Sequence, residues 1–169
     1  RETLFAFGRC VVHFAVDDSE VRMCTALKGS KGMAKDSWFL PFNQGWNDGA
    51  GNPPNPEGLK TDYLWKRILT PAQLTEILEN YAQIVEEVNP KTGQKKQVQI
   101  FPRYHQLDVV RQTLAHVLEH GAGKRYLLQH SAGSGKSNSI AWLAHQLIGL
   151  TKDGAEVFDS IIVIADRRI

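Results

Sequence analysis

Residues 129–144 read QHSAGSGKSNSIAWLA, and this stretch decides how the chain is interpreted. Small residues surround Gly133 and Gly135, and an apolar pattern typical of a helix begins directly after them. Glycine permits a tight turn whose backbone N–H groups converge on phosphate oxygens, and the N-terminus of the following helix adds partial positive charge. The stretch therefore predicts a nucleotide-binding turn at residues 130–137, called the glycine loop below.

The residues of the glycine loop have separate expected roles. Gly133, Ser134 and Gly135 wrap the phosphates with their backbone, and the Lys136 ammonium reaches the terminal phosphates as the catalytic cation. The Ser137 hydroxyl ligates Mg²⁺, so ATP and Mg²⁺ are the expected cofactors. The strict form of this loop has glycine where His130 stands. That position starts the loop rather than wrapping the phosphate, and the change points toward a helicase-type variant.

A polar segment, FPRYHQ at residues 101–106, precedes the first strand predicted beside the loop. It places Arg103, Tyr104 and Gln106 where a side-chain amide could meet adenine. An amide offers a donor and an acceptor together, which matches the paired edge of that base. An ordinary polar helix start is the alternative explanation.

A second charged segment, ADRR at residues 165–168, closes the last apolar stretch of the chain. Asp166, Arg167 and Arg168 would then stand at the carboxyl end of a parallel strand, the edge where open α/β sheets bind ligands. The two arginines suit contacts with DNA phosphodiesters. A solvated strand end is the alternative.

Elements predicted before residue 101 alternate between strands and helices. Paired strands are expected within residues 4–27, around an acidic turn, followed by a long irregular segment rich in Gly, Pro and Asn. Thr70 and Pro71 predict a helix start, and the helix is expected over residues 71–87 with one apolar face. That face comprises Leu74, Ile77, Leu78, Tyr81 and Val85. The polar turn after it, within residues 88–100, predicts a hairpin or a linker.

The second half predicts a βαβ unit. Helices are expected over residues 104–121 and 136–150, and buried parallel strands over residues 124–130 and 160–166. The fold class is therefore α/β: a strand-rich N-terminal part, linker helices, and the beginning of a P-loop parallel sheet. The expected domains are residues 1–60, 61–100 and 101–169.

Composition bounds the class of protein. The chain of 169 residues is 42% hydrophobic and 22% charged, as in ordinary soluble proteins. A net charge of +2 does not by itself argue for nucleic acid. No apolar run approaches the ~20 residues that span a bilayer, so no membrane is expected.

Cys10 and Cys24 are expected to be reduced, and a cytoplasmic location follows. The histidines, among them His116 and His120, are expected to be packing or surface residues without metal-ligand spacing.

The segment from FPRYHQ through the glycine loop to FDSIIVIADRR closely resembles the start of the motor in the restriction subunit of Type I restriction–modification enzymes. The upstream stretches FLPFNQG, GAGNPPNP and TDYLW resemble the region that joins that family's nuclease domain to its motor. The family comprises superfamily 2 DNA translocases coupled to a PD-(D/E)xK nuclease, and the resemblance covers nearly the whole chain.

The resemblance implies a fold, an activity and partners. Residues 1–60 would be the end of the nuclease domain, and residues 101–169 the start of a RecA-like ATPase lobe. Gln106 matches the adenine-recognising glutamine, Gly133, Gly135, Lys136 and Ser137 match the ATP-binding motif, and Arg167 and Arg168 match the motif that tracks along DNA. The parent protein would be a Type I site-specific deoxyribonuclease. Its partners would be double-stranded DNA and the methyltransferase and specificity subunits.

Two alternatives remain open beside this hypothesis. One is a superfamily 2 helicase or remodeller motor without a nuclease, and the other is a non-catalytic nucleotide-binding module. The chain lacks a starting Met and stops just after an apolar strand, so we expect a piece of a longer protein whose nuclease acids precede Arg1. Because hydrolysis also needs acidic and arginine groups beyond the glycine loop, we expect this piece alone to be inactive.

Overall fold

A computed structural model describes residues 7–27 and 39–165. These residues form a mixed α/β protein with small antiparallel sheets and helices. They divide into two compact units, Arg1–His105 and Gln106–Ile169. Each unit is described separately below.

A three-stranded antiparallel sheet opens the first unit. Strand β1 (His13–Val16) pairs with β2 (Val21–Cys24), and β3 (Leu40–Pro41) pairs with the other edge of β2. The turn between β1 and β2 is closed by Asp17, whose carboxylate accepts hydrogen bonds from the backbone N–H groups of Ser19 and Glu20 at 2.7 and 2.8 Å. The strands predicted within residues 4–27 are confirmed for this hairpin.

The long segment rich in Gly, Pro and Asn is fastened to that hairpin by the buried side chain of Asn52. Its amide donates to the Ser19 carbonyl and to Asn43 Oδ1, both at 2.9 Å, and its oxygen accepts from the Gln44 N–H at 2.9 Å. Thr61, fully buried, donates to the Asp17 carbonyl at 2.8 Å. The Asn52 side chain therefore supplies the hydrogen bonds that backbone groups in an irregular segment would otherwise lack.

Aromatic side chains fill the core of the first unit. Phe42 is fully buried, and its ring centroid lies 5.2 Å from that of Phe14 and 5.8 Å from that of Tyr104. Tyr63 packs on Tyr104 and donates its hydroxyl to the Phe42 carbonyl at 2.7 Å. Burial raises the pKa of the Tyr63 hydroxyl, so this donor stays protonated.

Helical structure in the first unit is short. A π-helical turn spans Leu64–Ile68, and helix α1 spans Pro71–Asn80 with Pro71 in its first turn, as the Thr70–Pro71 pair predicts. The predicted continuation to residue 87 is wrong, because β4 (Gln83–Val88) pairs in antiparallel register with β5 (Lys95–Ile100). The β-branched residues Ile84, Val85 and Val88 favour a strand, and strand pairing with β5 outweighs the helical spacing.

Two helices dominate the second unit. Helix α2 (Tyr104–His120) begins in the last two residues of the first unit, and α3 (Lys136–Leu147) begins within the glycine loop. Gly121 follows α2 with a φ of 74°, and its N–H donates to the Val117 carbonyl at 2.8 Å, so it ends the helix as predicted. A small hairpin pairs β6 (Thr151–Lys152) with β7 (Ala155–Glu156).

The predicted parallel sheet is absent from the described part of the second unit, where every paired strand is antiparallel. Residues 124–130 and 160–165 have no strand pairing, and Leu127, Ile162 and Ile164 are 90%, 82% and 90% exposed. Parallel sheets occur almost only where both of their faces are covered. Two helices do not supply that cover, so the prediction of a parallel P-loop sheet is wrong for these residues.

Candidate functional site

The glycine loop joins an irregular segment to the N-terminus of α3. Gly133 and Gly135 have φ values of 72° and 83°, in the left-handed region that side chains other than glycine rarely adopt. Gly135 is the residue that caps α3, and its carbonyl accepts from the Asn138 N–H at 3.0 Å. The small residues noted in the sequence therefore form a tight turn that leads directly into a helix.

Lys136 occupies the first position of α3, and its side chain folds back over the loop. Its Nζ donates to the carbonyls of His130 and Ser131, at 3.2 and 2.9 Å. The side chain is exposed, so the ammonium can exchange these two carbonyl oxygens for other anionic or carbonyl oxygens. His130 thus contributes its backbone carbonyl, a role that does not require glycine at that position.

The two serines of the loop differ in accessibility. Ser137 is exposed in the first turn of α3. Its hydroxyl is therefore open to solvent at the helix end that carries partial positive charge. Ser134 is buried with 5% of its surface exposed, and its backbone N–H lies 3.4 Å from the Ser131 carbonyl. Ser137 is therefore the accessible hydroxyl, and Ser134 is part of the packed turn.

Gln106 lies directly beneath the glycine loop. Its side chain is buried, with 3% exposed, and its Nε2 donates to the Gly135 carbonyl at 2.8 Å. The residue was assigned to adenine from the sequence, and the structure shows it holding the loop. A side chain at position 135 would collide with this amide, so Gly135 is fixed by both its φ value and the close approach of Gln106.

The other predicted site residues do not join this arrangement. Arg103 is half-buried in the first unit, and Tyr104 packs in the aromatic core of that unit. Asp166, Arg167 and Arg168 lie outside the described residues. The structure therefore brings together Gln106 with residues 130–137.

A cavity of about 90 Å³ lies beside the loop and was not expected from the sequence. Its walls are mostly apolar, and the Lys136 side chain reaches it. Ser139 also lines it, one turn into α3, and its Oγ is buried without a hydrogen-bond partner among the described residues. No sequence signal marks Ser139, because a serine inside a helix usually points to solvent. The lining residues are Val109, Val110, Leu128, His130, Lys136, Ser139, Ile140 and Leu143.

The residues of the loop fit a nucleotide with Mg²⁺ on their own chemistry. Left-handed glycines, an exposed ammonium and an exposed hydroxyl stand together at a helix N-terminus. Within residues 7–27 and 39–165, no three His, Cys, Asp or Glu side chains are close enough to hold a metal ion. A Mg²⁺ bound here would therefore rely on one protein hydroxyl and the phosphates.

Comparison with known proteins finds no match: no family model, curated protein or solved structure is significantly similar to the chain. Among the described helices, none is both long and apolar enough to cross a membrane. The assignment of the candidate site therefore depends on the sequence and on the geometry described above.

Proposed function

We propose that the second unit binds ATP and Mg²⁺ through the glycine loop. The observation that carries this proposal is the left-handed Gly135 at the start of α3, with Lys136 beside it. A helix N-terminus preceded by such a turn favours a phosphate group. Lys136 would hold the terminal phosphates, and Ser137 would ligate the metal.

Each residue contributes a distinct action to binding. Gly133 and Gly135 let the backbone approach the phosphates closely, and Gln106 keeps the loop in this shape through the Gly135 carbonyl. Lys136 releases the His130 and Ser131 carbonyls and takes phosphate oxygens in their place. Bound Mg²⁺ neutralises charge on the phosphates, as in other phosphoryl-transfer sites. These residues would bind the phosphates and supply positive charge beside them. Hydrolysis needs further groups that position the attacking water.

The larger role proposed is that of an ATP-dependent DNA translocase and endonuclease subunit of a Type I restriction enzyme. The resemblance of the segments around the glycine loop supports this role, with ATP binding driving movement along duplex DNA before cleavage. Arg167 and Arg168 would contact DNA, and methyltransferase and specificity subunits would be partners in the cytoplasm. A Glu-x-Lys pair on a strand encoded upstream of Arg1 would separate this role from a motor without a nuclease.

Nucleotide binding by wild type and Lys136→Ala tests the site. A fluorescent ATP analogue with Mg²⁺ should bind the wild type, and Lys136→Ala should weaken it by about tenfold or more, since a charged hydrogen bond of ~1.5–3 kcal/mol is lost. Lys124→Ala removes an exposed lysine outside the loop and should bind like the wild type. Equal affinity in all three proteins would favour a non-enzymatic module in which the phosphate turn is vestigial, and would count against the assigned site.

A further inference from the structure

Two histidines near the end of α2 form a pair that the glycine loop does not use. His116 and His120 are four residues apart on one face of the helix, and both are exposed. Their imidazole rings are stacked, with centroids 3.9 Å apart and an angle of 11° between planes. The two Nε2 lone pairs therefore lie in nearly parallel planes, and the exposed rings must turn out of the stack before both can point at one ion. Residues four apart on a helix are the spacing at which two imidazoles reach one metal ion.

The Nδ1 atom of each imidazole is held by a neighbour. His120 Nδ1 lies 3.1 Å from the His116 carbonyl, which only accepts, so this nitrogen carries the proton and Nε2 carries the lone pair of the neutral ring. His116 Nδ1 lies 2.9 Å from the Tyr126 hydroxyl, which can accept from it. No described residue hydrogen-bonds either Nε2 atom. Both Nε2 atoms are therefore open to a ligand once the rings turn.

The charge around the pair favours a cation. His120 lies in the last turn of α2, where the helix carbonyls give partial negative charge, and His116 lies one turn before it. The Glu119 carboxylate lies 3.7 Å from His120 Nδ1, on the protonated side of that ring. It adds negative charge beside the pair without being a ligand itself. The nearby Lys152 ammonium opposes this charge, and it is already bonded to the Glu119 carbonyl at 2.7 Å.

We propose that His116 and His120 together bind one divalent transition-metal ion, of the Zn²⁺, Ni²⁺ and Cu²⁺ class, through their two Nε2 atoms. Imidazole suits these metals, whereas Mg²⁺ prefers oxygen ligands. The described part of the chain offers no third His, Cys, Asp or Glu in reach, so water occupies the remaining positions. The proposal departs from the sequence-based expectation that these histidines are packing or surface residues.

Titration of the chain with Ni²⁺ alone tests the pair. The protein must carry no polyhistidine tag, and isothermal titration calorimetry should show one ion per chain. His116→Ala and His120→Ala should each weaken binding roughly a hundredfold, because the second imidazole no longer binds intramolecularly. Excess Mg²⁺ should not compete.

His145→Ala is the matched control, because it removes a single exposed histidine from α3. It should bind Ni²⁺ like the wild type, and Lys136→Ala should too, which separates this site from the glycine loop. Cu²⁺ added to the wild type should broaden NMR signals from residues 113–126 first, a readout that needs no variant. Unchanged affinity in both His116→Ala and His120→Ala, or broadening centred elsewhere, would overturn the proposal.

Discussion

Gly135 is the residue on which the geometry of the glycine loop depends most. Its φ of 83° is open to glycine, and its missing side chain leaves room for the Gln106 amide. Gly133 has a similar φ of 72°, but a side chain there would meet nothing within 4 Å. A substitution at Gly133 therefore introduces backbone strain alone, whereas one at Gly135 introduces the same strain and a clash with Gln106.

Substitution of these glycines gives the first prediction. Gly133→Ala should lower the free energy of unfolding by about 1–2 kcal/mol, the cost of a left-handed residue. Gly135→Ala should cost more, because the new methyl group also displaces Gln106. Adding Gln106→Ala to Gly135→Ala should recover part of that excess. Chemical denaturation measures all four proteins, and equal losses for Gly133→Ala and Gly135→Ala would contradict the contact.

Asp17 gives a prediction about pH. Hydrogen bonds from the Ser19 and Glu20 backbone lower the pKa of its carboxyl below the ordinary value of 3.8. A lowered pKa contributes stability above the unfolded-state pKa, and that contribution is lost as pH falls through the folded-state pKa. Asp17→Asn keeps an acceptor oxygen and should be less stable than the wild type at pH 7.

The difference between these two proteins should shrink as the pH falls below the ordinary value of 3.8, because the Asp17 carboxyl takes up a proton first in the unfolded chain and then, at lower pH, in the folded one. Denaturation at pH 7 and pH 3 measures it. Asp18→Asn, one residue further along the same turn, is the control for net charge. A gap between Asp17→Asn and the wild type that stays constant with pH would show that the carboxylate is not stabilised by the turn.

At the scale of elements, the Asn52 network decides whether the long irregular segment stays attached to the β1–β2 hairpin. Asn52→Ala leaves the Ser19 carbonyl and the Gln44 N–H without their buried partner, and should lower the free energy of unfolding by about 2–3 kcal/mol. Asn55→Ala, whose hydrogen bonds are exposed, should cost less than about 1 kcal/mol. Similar losses in both variants would contradict the network's role.

Elements were predictable from sequence where local signals agree. Helix α2 is marked by Gly121 at its end and by an apolar stripe along its length, and the acidic turn at Asp17 marks the first hairpin. The stripe comprises Leu107, Val110, Leu114, Val117 and Leu118. Elements were not predictable where the same apolar residues fit both the 3.6-residue period of a helix and the two-residue period of a strand. Ile84 and Val85 continue the helical spacing of α1, yet they pair with β5, because strand pairing depends on residues 95–100, which are distant in sequence.

The candidate site was predictable to a similar extent. Gly133, Gly135, Lys136 and Ser137 follow from the local order of residues 129–144, and the structure places them together in one turn. The buried position of Gln106 under Gly135 was not predictable, because a side-chain amide has two equally good uses, and only the fold selects between them. The stacking of His116 on His120 was not predictable, because the spacing of two histidines on a helix does not determine how their exposed rings are oriented.

At the scale of the whole molecule, the exposed apolar segments test the corrected fold. Leu127 and Ile164 are each 90% exposed, so Leu127→Ser and Ile164→Ser should change the free energy of unfolding by less than about 0.5 kcal/mol. Leu107→Ser, at a position 1% exposed, should cost at least about 2 kcal/mol. If Leu127→Ser and Ile164→Ser cost as much as Leu107→Ser, these segments are buried strands and the antiparallel description fails.

The central claim is that the backbone of residues 130–137 receives a polyphosphate. Amide hydrogen exchange, compared with and without saturating ATP and Mg²⁺, tests it most directly because it reports on those N–H groups themselves. We predict slower exchange across residues 131–137 and no change in α1, which belongs to the other unit. Exchange that is unchanged in the glycine loop at saturating nucleotide would contradict the claim.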